Sequence, residues 1–411
     1  MKITLSHKKK LHFASYSKYI DYVLNHMTNK QNFVPISDEM YSFDKIHKRI
    51  KPIAFYLPQY HDFEENIKWF GRGFSEWSNC AKTMPQYIGH NQPHIPIDVG
   101  FYNLETTITY KRQIELAKKY GIYGFSFYYY WFSGKKIMEK PIENMLNDKS
   151  LDFPFFIFWA NEDWTRLWNG GKSNLKEVLY KQEIKDGDAE LFMQDVLPFM
   201  KDNRYIKVKN SPLLIIYDPH IYEFEKYINF ISRIRTIAKD NGFDDLYILT
   251  TTLRLDKSGL DCKSFIEKYN LDGIFEFFPQ GISNSNINLK FEEIANKQFK
   301  GSCFDVEEYV NSKKFMMTAN ENIFKGCFPN WDNTARKCYQ NAKIFQSSPS
   351  IYRKWFESIV DWTIKNKKED EAFVFINAWN EWAEGAHLEP DQTLGYAYLQ
   401  STKDALMEVE V

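Results

Sequence analysis

The sequence of residues 373–385 is FVFINAWNEWAEG, and it joins an apolar run to a dense group of polar and aromatic side chains. The first four residues are aromatic or β-branched, which is typical of a buried strand. Amides, indoles and carboxylates follow directly. Since a buried strand that delivers polar groups at its carboxyl end is the repeating unit of parallel α/β folds, this stretch predicts such a fold.

Seven earlier runs have the same character, and helical patterns lie between them. One pattern is Phe224, Ile228 and Ile231, which trace one face at a period near 3.6. Ser348 and Pro349 predict the start of another helix, as its N-cap and its first residue. The eight predicted strands are Ile53–Leu57, Tyr123–Tyr128, Pro154–Trp159, Leu213–Tyr217, Leu246–Thr250, Gly273–Phe277, Ile323–Phe328 and Phe373–Ala378.

Eight strands that alternate with helices predict an α/β protein built as a (β/α)8 TIM barrel, whose active site would lie at the carboxyl ends of the strands. A doubly wound open sheet is the alternative. A dinucleotide-binding sheet would have a Gly-rich phosphate turn after its first strand, and residues 58–61, PQYH, contain no glycine.

The first 48 residues stand apart from this alternation. Their strongest pattern is Ile20, Val23, Leu24 and Met27, which have helical spacing on a short amphipathic piece. The chain after residue 50 contains no repeat, low-complexity tract or linker. We therefore predict a short N-terminal helical appendage at residues 1–48 and one barrel domain at residues 49–411.

Composition excludes several classes of partner. Lys and Arg total 53 and Asp and Glu total 54, so no net charge attracts nucleic acid or an anionic membrane. No apolar run approaches the roughly 18 residues of a spanning helix, and no apolar core follows the early lysines as in a secretory signal. We expect no nucleic acid, no transmembrane segment and a cytoplasmic location.

The five cysteines are odd in number and form no CxxC pair, which argues against a disulfide framework and a zinc site.

Glu381 and Glu384 are the sharpest candidates for catalysis. If their turn is helical, side chains three apart lie on one side, with roughly 5–6 Å between Cβ atoms. Carboxylates at about 5–5.5 Å are typical of retaining glycosidases. Two such groups near Trp379 and Trp382 would have different pKa values and supply an acid and a base. The alternative is a pair of solvated glutamates on a surface helix.

Two further clusters combine indoles with amides and charges, at residues 161–166 and 331–336. Indoles can stack on sugar rings, and amides and carboxylates can bind sugar hydroxyls, but a salt-bridged loop or a helix cap at Asp332 is also compatible. His90 and His94 are four apart, yet Pro93 lies between them, so we predict no metal site. Asp186-Gly187-Asp188 has the form of a metal-binding DxD motif but lies in a polar stretch, which favours a solvated loop.

Five motifs carry a resemblance to a known family: AFYLPQYH at 54–61, GFSEW at 73–77, FWANEDWT at 158–165, WDNTAR at 331–336 and NAWNEWAEG at 377–385. Together they resemble the WbsX-like family of bacterial polysaccharide-biosynthesis proteins. That family is similar to glycoside hydrolase family 99, the endo-α-mannosidases. The resemblance covers roughly residues 50–402.

The resemblance implies a (β/α)8 barrel with a retaining site that needs no metal or other cofactor. In the endo-α-mannosidases the motif Glu-Trp-x-Glu-Gly carries both catalytic groups, which correspond to Glu381 and Glu384. The first would deprotonate the sugar 2-hydroxyl and the second would protonate the leaving oxygen. Tyr56 matches a subsite tyrosine. Ala383 stands where the mannosidases tend to have histidine, a difference that bears on mannose specificity.

We therefore predict a retaining glycoside hydrolase or transglycosylase that acts on an α-linked, mannose-like bacterial surface polysaccharide or its precursor. One alternative is a glycosyltransferase in O-antigen or capsule biosynthesis, and another is a non-catalytic glycan-binding barrel. The expected partners are the glycan and polysaccharide-assembly enzymes. The predicted substrate-binding residues are Tyr56, Gln59, Tyr60, Glu76, Trp77, Tyr130, Trp131, Trp159, Asn161, Glu162, Trp164, Arg166, Tyr217, Trp331, Asp332, Asn333, Arg336, Asn377, Trp379, Asn380 and His387.

Overall fold

Nine parallel strands form the central sheet of the computed structural model, which describes residues 17–18, 20–21, 32–87, 89–165, 177–282, 296, 298–316, 320–337 and 341–409. All eight predicted strands are present, the seventh in two pieces. The strands are β1 Lys51–Tyr56, β2 Gly124–Phe132, β3 Phe155–Trp159, β4 Ser211–Ile216, β5 Tyr247–Thr251, β6 Gly273–Phe275, β7 Ile323–Phe324, β8 Gly326–Cys327 and β9 Phe373–Ile376.

The sheet closes on itself. Strands β1 to β6 pair in chain order, and β1 also pairs with β9. Strand β7 pairs with β6, β8 pairs with β9, and only Lys325 separates β7 from β8. The two short strands therefore act as one and complete the ring, which confirms the predicted (β/α)8 barrel.

Helices alternate with the strands and surround them. The predicted start of the helix at Pro349 is confirmed, because the Ser348 side chain accepts a hydrogen bond from the Ile351 N–H at 3.3 Å. Within the described ranges, no helix combines the length and apolarity needed to cross a bilayer. The helices are Asp44–Arg49, Glu64–Phe70, Glu76–Ala81, Thr107–Lys119, Lys140–Asn147, Asp188–Met200, Phe224–Asp240, Thr252–Ser258, Cys262–Tyr269, Val306–Asn311, Thr334–Lys337, Pro349–Asn366 and Ala397–Met407.

Further short strands lie beside the barrel strands and in the loops. They are Lys135–Ile137, Trp164–Thr165, Val178–Tyr180, Lys207–Val208, Ser302–Asp305, Trp331–Asp332, Lys343–Gln346, Asn380–Glu381 and Ala386–His387. The strands at residues 302–305, 331–332 and 343–346 form a separate three-stranded sheet. The pair at 380–381 and 386–387 is antiparallel and follows β9 directly.

Phenylalanine rings fill the interior of the barrel. The ring centroid of Phe55 in β1 lies 5.3 Å from that of Phe158, 5.6 Å from that of Phe275 and 5.8 Å from that of Phe375. Because β1 and β6 are not neighbours in the sheet, Phe55 and Phe275 meet across the lumen. The barrel is therefore a packed core, and a ligand can enter only at an end.

The described part of the predicted appendage packs on the barrel's outer helices. Val34 exchanges backbone hydrogen bonds with Leu394 and Tyr396, at 3.0 and 2.9 Å. Phe43 and Ile46 are buried. Val23, Leu24 and Met27 lie outside the described residues, and the division at residue 48 stays a prediction.

A buried ion pair lies where strand seven is interrupted. The Lys325 ammonium, with no exposed surface, donates to Glu276 Oε1 at 2.8 Å and to the Phe315 carbonyl at 2.8 Å. The other Glu276 oxygen accepts from the Gly326 N–H at 3.2 Å. Both charges are out of water, so each depends on the other for its stability.

We expect Lys325→Met to lower the free energy of unfolding by about 3–5 kcal/mol, because it leaves a buried carboxylate without its cation. Adding Glu276→Gln should recover part of that loss, since the amide oxygen still accepts a hydrogen bond. Urea unfolding measures both variants. Lys365→Met, which removes an exposed partner of Asp361, should change stability by less than about 0.5 kcal/mol. Equal losses in the single and double variants would contradict the role of the pair.

Candidate active site

A cavity of about 400 Å³ lies at the carboxyl ends of the strands. This is the end at which barrel enzymes carry their active sites. A larger depression of about 800 Å³ lies at the opposite end, near His47 and Lys51, and neither Glu381 nor Glu384 lines it. The smaller cavity is lined by Tyr128, Tyr130, Phe158, Ala160, Glu162, Tyr217, Phe277, Pro279, Gln280, Trp331, Asn333, Arg336, Lys343, Phe345, Glu381 and Glu384.

The two candidate catalytic glutamates flank one tight turn. Glu381 ends a two-residue strand, residues 382–384 form a 3₁₀ helix, and Gly385 follows with a φ of 58°. Both carboxylates point to the same side of this turn, since each contacts the Arg336 guanidinium. A Cβ at residue 385 would lie 3.1 Å from the Asp332 backbone nitrogen, so glycine suits both the turn and its packing.

One guanidinium holds both carboxylates. Arg336 donates from Nη1 to Glu384 Oε1 at 2.6 Å and from Nη2 to Glu381 Oε2 at 3.0 Å. It also contacts the Glu76 carboxylate at 3.2 and 3.3 Å. Three carboxyl groups, those of the buried Glu76 and Glu381 and of the partly exposed Glu384, thus surround one guanidinium, so the cluster carries excess negative charge if all are ionised.

This arrangement raises the pKa of both candidate groups. For Glu381 burial is the largest cause and the Glu384 and Glu76 carboxylates add to it, while Arg336 opposes it. For Glu384 burial is again the largest cause, with Arg336 opposing and Glu76 adding. Because the two groups interact, they titrate as a pair that retains a proton toward neutral pH. One carboxylate and one carboxylic acid side by side is the combination that acid–base catalysis needs.

Hydrogen bonds from neighbouring loops fix the position of the turn. The Asn380 side chain accepts from the Leu57 N–H at 2.7 Å and donates to the Leu57 carbonyl at 3.0 Å. The Tyr60 hydroxyl donates to the Asn380 carbonyl at 2.7 Å and accepts from the Trp382 N–H at 3.2 Å. Asn380 and Tyr60 therefore tie the turn to the end of β1.

A buried carboxyl group, Glu389, supports the turn from behind. Its oxygens accept from the indoles of Trp379 and Trp382, at 3.1 and 2.7 Å, and from Tyr102 and Gln113, at 2.8 and 2.6 Å. Burial raises its pKa to about 7 despite these four donors. Since Trp382 lies between the two candidate catalytic residues in sequence, this network sets their orientation.

The opposite wall of the cavity carries a second charged group. The Arg254 guanidinium lies 3.1 Å from Asp218, 3.6 Å from Glu162 and 4.6 Å from the centre of the Tyr217 ring. Burial raises the pKa of Glu162 to about 7, against the attraction of Arg254. Glu162 and Tyr217 thus present a carboxyl group and an aromatic ring to a ligand.

Eight of the predicted site residues line the cavity: Tyr130, Glu162, Tyr217, Trp331, Asn333, Arg336, Glu381 and Glu384. Sequence reasoning missed eight lining residues: Tyr128, Phe158, Ala160, Phe277, Pro279, Gln280, Lys343 and Phe345. Tyr128, Phe158 and Ala160 could have been predicted. Along β2 and through the end of β3 every second residue faces the cavity, and the residues between them face outward. Lys343 and Phe345 reach the cavity through the separate small sheet, for which no sequence pattern is evident.

Eleven other predicted residues do not line the cavity, and some of them contact residues near it. Glu76 acts through Arg336, and Asn161 exchanges hydrogen bonds with the Asp218 backbone at 2.7 and 2.9 Å. Asp332 accepts from His90 at 2.6 Å and from Gln92 at 2.7 Å, and these partners hold its pKa below the usual range despite burial. The full set is Gln59, Tyr60, Glu76, Trp77, Asn161, Trp164, Asp332, Asn377, Trp379, Asn380 and His387.

Three predicted substrate-binding residues point away from the cavity toward the outer helices. The Tyr56 hydroxyl donates to Gln113 at 2.7 Å, the Trp131 indole donates to Asp195 at 2.9 Å, and Trp159 packs on Phe192 at 4.8 Å between centroids. The assignment of these three is corrected, because strand side chains alternate between lumen and helix layer. Arg166 lies outside the described residues.

One group in the described part of the chain has the composition and spacing of a metal site: His94, His387 and Asp391. It is buried and lies outside the cavity. His90 pairs with Asp332 at 2.6 Å. His94 contacts His387, 293 residues away, which no local spacing reveals.

The closed parallel barrel has counterparts among solved structures, which share its fold. A solved structure described as a glycoside hydrolase-like protein matches this fold with a TM-score of 0.54, at 13% identity, over 92% of this chain and 98% of its own. The endo-α-mannosidase of family 99 from Bacteroides thetaiotaomicron is similar at a TM-score of 0.48 and 14% identity, over 87% of this chain and 96% of its own.

The chain belongs to the family described as glycosyltransferase WbsX, which matches residues 52–402. This confirms the resemblance found in the motifs. Two WxcX proteins from Xanthomonas campestris pv. campestris, of strains B100 and ATCC 33913, are each 36% identical over 354 residues. The match covers 86% of this chain and 49% of those proteins, so the chain spans about half the length of the curated relatives it matches.

The charge cluster predicts opposite pKa changes at Glu381 for two substitutions. Glu384→Gln should lower the pKa of Glu381, because a neighbouring negative charge is removed. Arg336→Gln should raise it, because the guanidinium that favours ionisation is lost. Carbon-13 NMR titration of protein labelled at the glutamate carboxyl carbon measures both, with Glu381→Gln to assign the signal. Lys365→Gln, on the surface, should cause no change; shifts of the same sign in both variants would contradict the assigned contacts.

Proposed function

We propose that this protein is a carbohydrate-active enzyme that cleaves an α-linked glycan by hydrolysis or transglycosylation, with Glu381 and Glu384 as its catalytic pair. The observation that carries the proposal is the contact of both carboxyl groups with Arg336, at 3.0 and 2.6 Å, in the wall of the cavity. Their raised pKa values allow one acid and one base to coexist near neutral pH.

In the first step the Glu381 carboxylate removes the proton from the sugar 2-hydroxyl. The freed oxygen attacks C1 as the bond from C1 to the leaving oxygen breaks, and Glu384 gives its proton to that oxygen. The product is a 1,2-anhydro sugar, with Glu381 protonated and Glu384 ionised. The sugar in the cleaving subsite must therefore carry a free 2-hydroxyl.

In the second step Glu384 removes a proton from water, or from a hydroxyl of an acceptor sugar. The oxygen of that molecule attacks C1, the epoxide opens, and Glu381 returns its proton to O2. Two inversions at C1 give overall retention, and both glutamates recover their starting protonation states. Water as the acceptor gives hydrolysis, and a sugar gives transglycosylation.

The difference in exposure favours this division of roles. The Glu384 side chain is 17% exposed and that of Glu381 is 7% exposed. The acid–base group must reach the leaving group and then an incoming acceptor, so it suits the more open position. The group that acts on the 2-hydroxyl contacts only the bound sugar and suits the deeper position.

The cavity has the size and lining of a sugar site. Its volume of about 400 Å³ lies within the usual range for ligand pockets, about 300–1,000 Å³. Tyr130, Tyr217 and Trp331 offer aromatic surfaces, and Asn333 and Glu162 offer polar groups. We infer a mannose-like unit of a bacterial surface polysaccharide or its precursor as the substrate, processed in the cytoplasm beside polysaccharide-assembly enzymes.

Substitution of the two glutamates should separate their roles. Glu384→Gln should reduce kcat/KM on a panel of α-linked oligosaccharides by about 10²–10⁴-fold, the usual range for loss of a general acid–base group. With a glycoside whose aryl leaving group needs no proton, the first step of Glu384→Gln should be largely rescued, while Glu381→Gln stays impaired. Mass spectrometry and release of the aryl group measure these effects.

Glu183→Gln is the matched control, because that glutamate side chain is exposed, pairs with Lys185 at 2.6 Å and does not line the cavity. It should retain wild-type rates. Equal rescue of both catalytic variants would contradict the assigned roles. Glycan binding without turnover in the wild type, unchanged in both variants, would instead establish a non-catalytic glycan-binding barrel.

A glycosyltransferase is the second candidate function, because the family description carries that name. The two functions differ in their need for an activated donor. For a glycosidase we expect product from the α-linked panel without any nucleotide sugar, and no increase when a set of nucleotide sugars is added. Product that grows only with a nucleotide sugar, and survives Glu384→Gln, would favour the transferase.

A further inference from the structure

Three buried side chains from two distant segments converge behind the catalytic turn. His94 Nδ1 lies 2.8 Å from His387 Nε2, and Asp391 Oδ2 lies 4.0 Å from the first and 3.8 Å from the second. Each residue is at most 6% exposed. Backbone hydrogen bonds between residues 95–97 and 390–392, at 3.0 and 3.2 Å, hold the two segments side by side. The cluster is thus assembled by the main chain.

Hydrogen bonds orient the ligand atoms of His387 and Asp391 toward the centre of the cluster. His387 Nδ1 lies 2.8 Å from the Glu389 carbonyl, and since a carbonyl only accepts, Nδ1 carries the proton and Nε2 presents a lone pair. Asp391 Oδ1 accepts from the N–H groups of Thr393 and Leu394, both at 2.7 Å, which leaves Oδ2 toward the histidines. Metal-binding histidines are oriented by contacts of this kind.

A hydrogen bond between the two rings accounts for only part of this arrangement. It leaves Asp391 Oδ2 beyond hydrogen-bonding distance of both nitrogens. Bonds of about 2.0–2.1 Å to a tetrahedral zinc ion would place the ligand atoms about 3.3 Å apart. Shifts of about half an ångström would bring the three atoms to that spacing, so one cation could contact all three.

We propose that His94, His387 and Asp391 form a buried binding site for a divalent transition-metal ion, with Zn²⁺ the ion that two imidazoles and one carboxylate favour. The ion would be structural. The His387 ring stacks on Trp382 at 3.8 Å, and His387 pairs with Asn380 in the hairpin of the catalytic turn. A metal here would tie the segment at residue 94 to the hairpin that carries Glu381 and Glu384.

The first experiment measures metal content in the whole protein. The chain is treated with a chelator, equilibrated with ZnCl₂, desalted and analysed by mass spectrometry for zinc. We expect about one Zn²⁺ per chain, and a higher midpoint of thermal unfolding with Zn²⁺ than with chelator, because the ion binds only the folded site. Retention of no zinc, with an unchanged midpoint, would overturn the proposal.

Variants then locate the ion. His94→Gln and Asp391→Asn should each weaken Zn²⁺ binding by more than about 100-fold in competition with a chromophoric chelator, since loss of a partner to a ligand alone costs about 10–100-fold. His47→Gln, at a histidine bonded to the Gly121 carbonyl far from the cluster, should bind as wild type does. Unchanged affinity in the first two variants would overturn the assignment.

A spectroscopic test needs no substitution and so does not depend on the variants folding. Co²⁺ held tetrahedrally by the two imidazoles, the carboxylate and one water absorbs visible light far more strongly than the six-coordinate aqueous ion. We expect wild-type protein loaded with Co²⁺ to show these bands and to lose them when Zn²⁺ is added. The spectrum of aqueous Co²⁺ alone would overturn the proposal, whatever the enzyme's activity.

Discussion

The contact of Arg336 with three carboxyl groups is the constraint on which the site depends. The guanidinium reaches Glu76 from one helix and Glu381 and Glu384 from the turn after β9, so it joins segments 260 and 45 residues away. Without the cation, three like charges would meet in a place with little water. With it, burial still raises the pKa values of the two glutamates, and the charge that is only partly balanced adds to that effect. The proposed acid–base chemistry and the assembly of the site thus depend on the same ion cluster.

The barrel makes such a cluster possible by closing its own interior. Phe55, Phe158, Phe275 and Phe375 fill the lumen, so polar groups have room only above the rings, at the carboxyl ends of the strands. The position of β9 next to β1 places the turn that carries Glu381 and Glu384 beside the loop that contains Tyr60. A second buried ion pair, between Lys325 and Glu276, lies where strand seven is interrupted.

The alternation of strand and helix patterns was enough to predict the fold. The polar motifs at the ends of the strands were enough to predict eight of the residues that line the cavity. Glu381, Glu384 and Arg336 each follow a strand or begin a helix, which is visible in sequence. Trp131 was misassigned because β2 extends to Phe132, four residues beyond the predicted end, so side chains still alternate there. Lys343 and the pairing of His94 with His387 depend on contacts between distant segments, and no single-sequence periodicity encodes those.

Trp382 explains how an excess of negative charge is kept in one geometry. It lies between the two glutamates, its indole donates to Glu389 at 2.7 Å, and its ring stacks on His387 at 3.8 Å. A 3₁₀ turn of three residues has few hydrogen bonds of its own, so its conformation is set by what packs on its central side chains. The Glu389 network therefore holds the indole N–H of Trp382, and the histidine cluster packs on the face of the same ring. Together they oppose the repulsion that would otherwise separate Glu381 from Glu384.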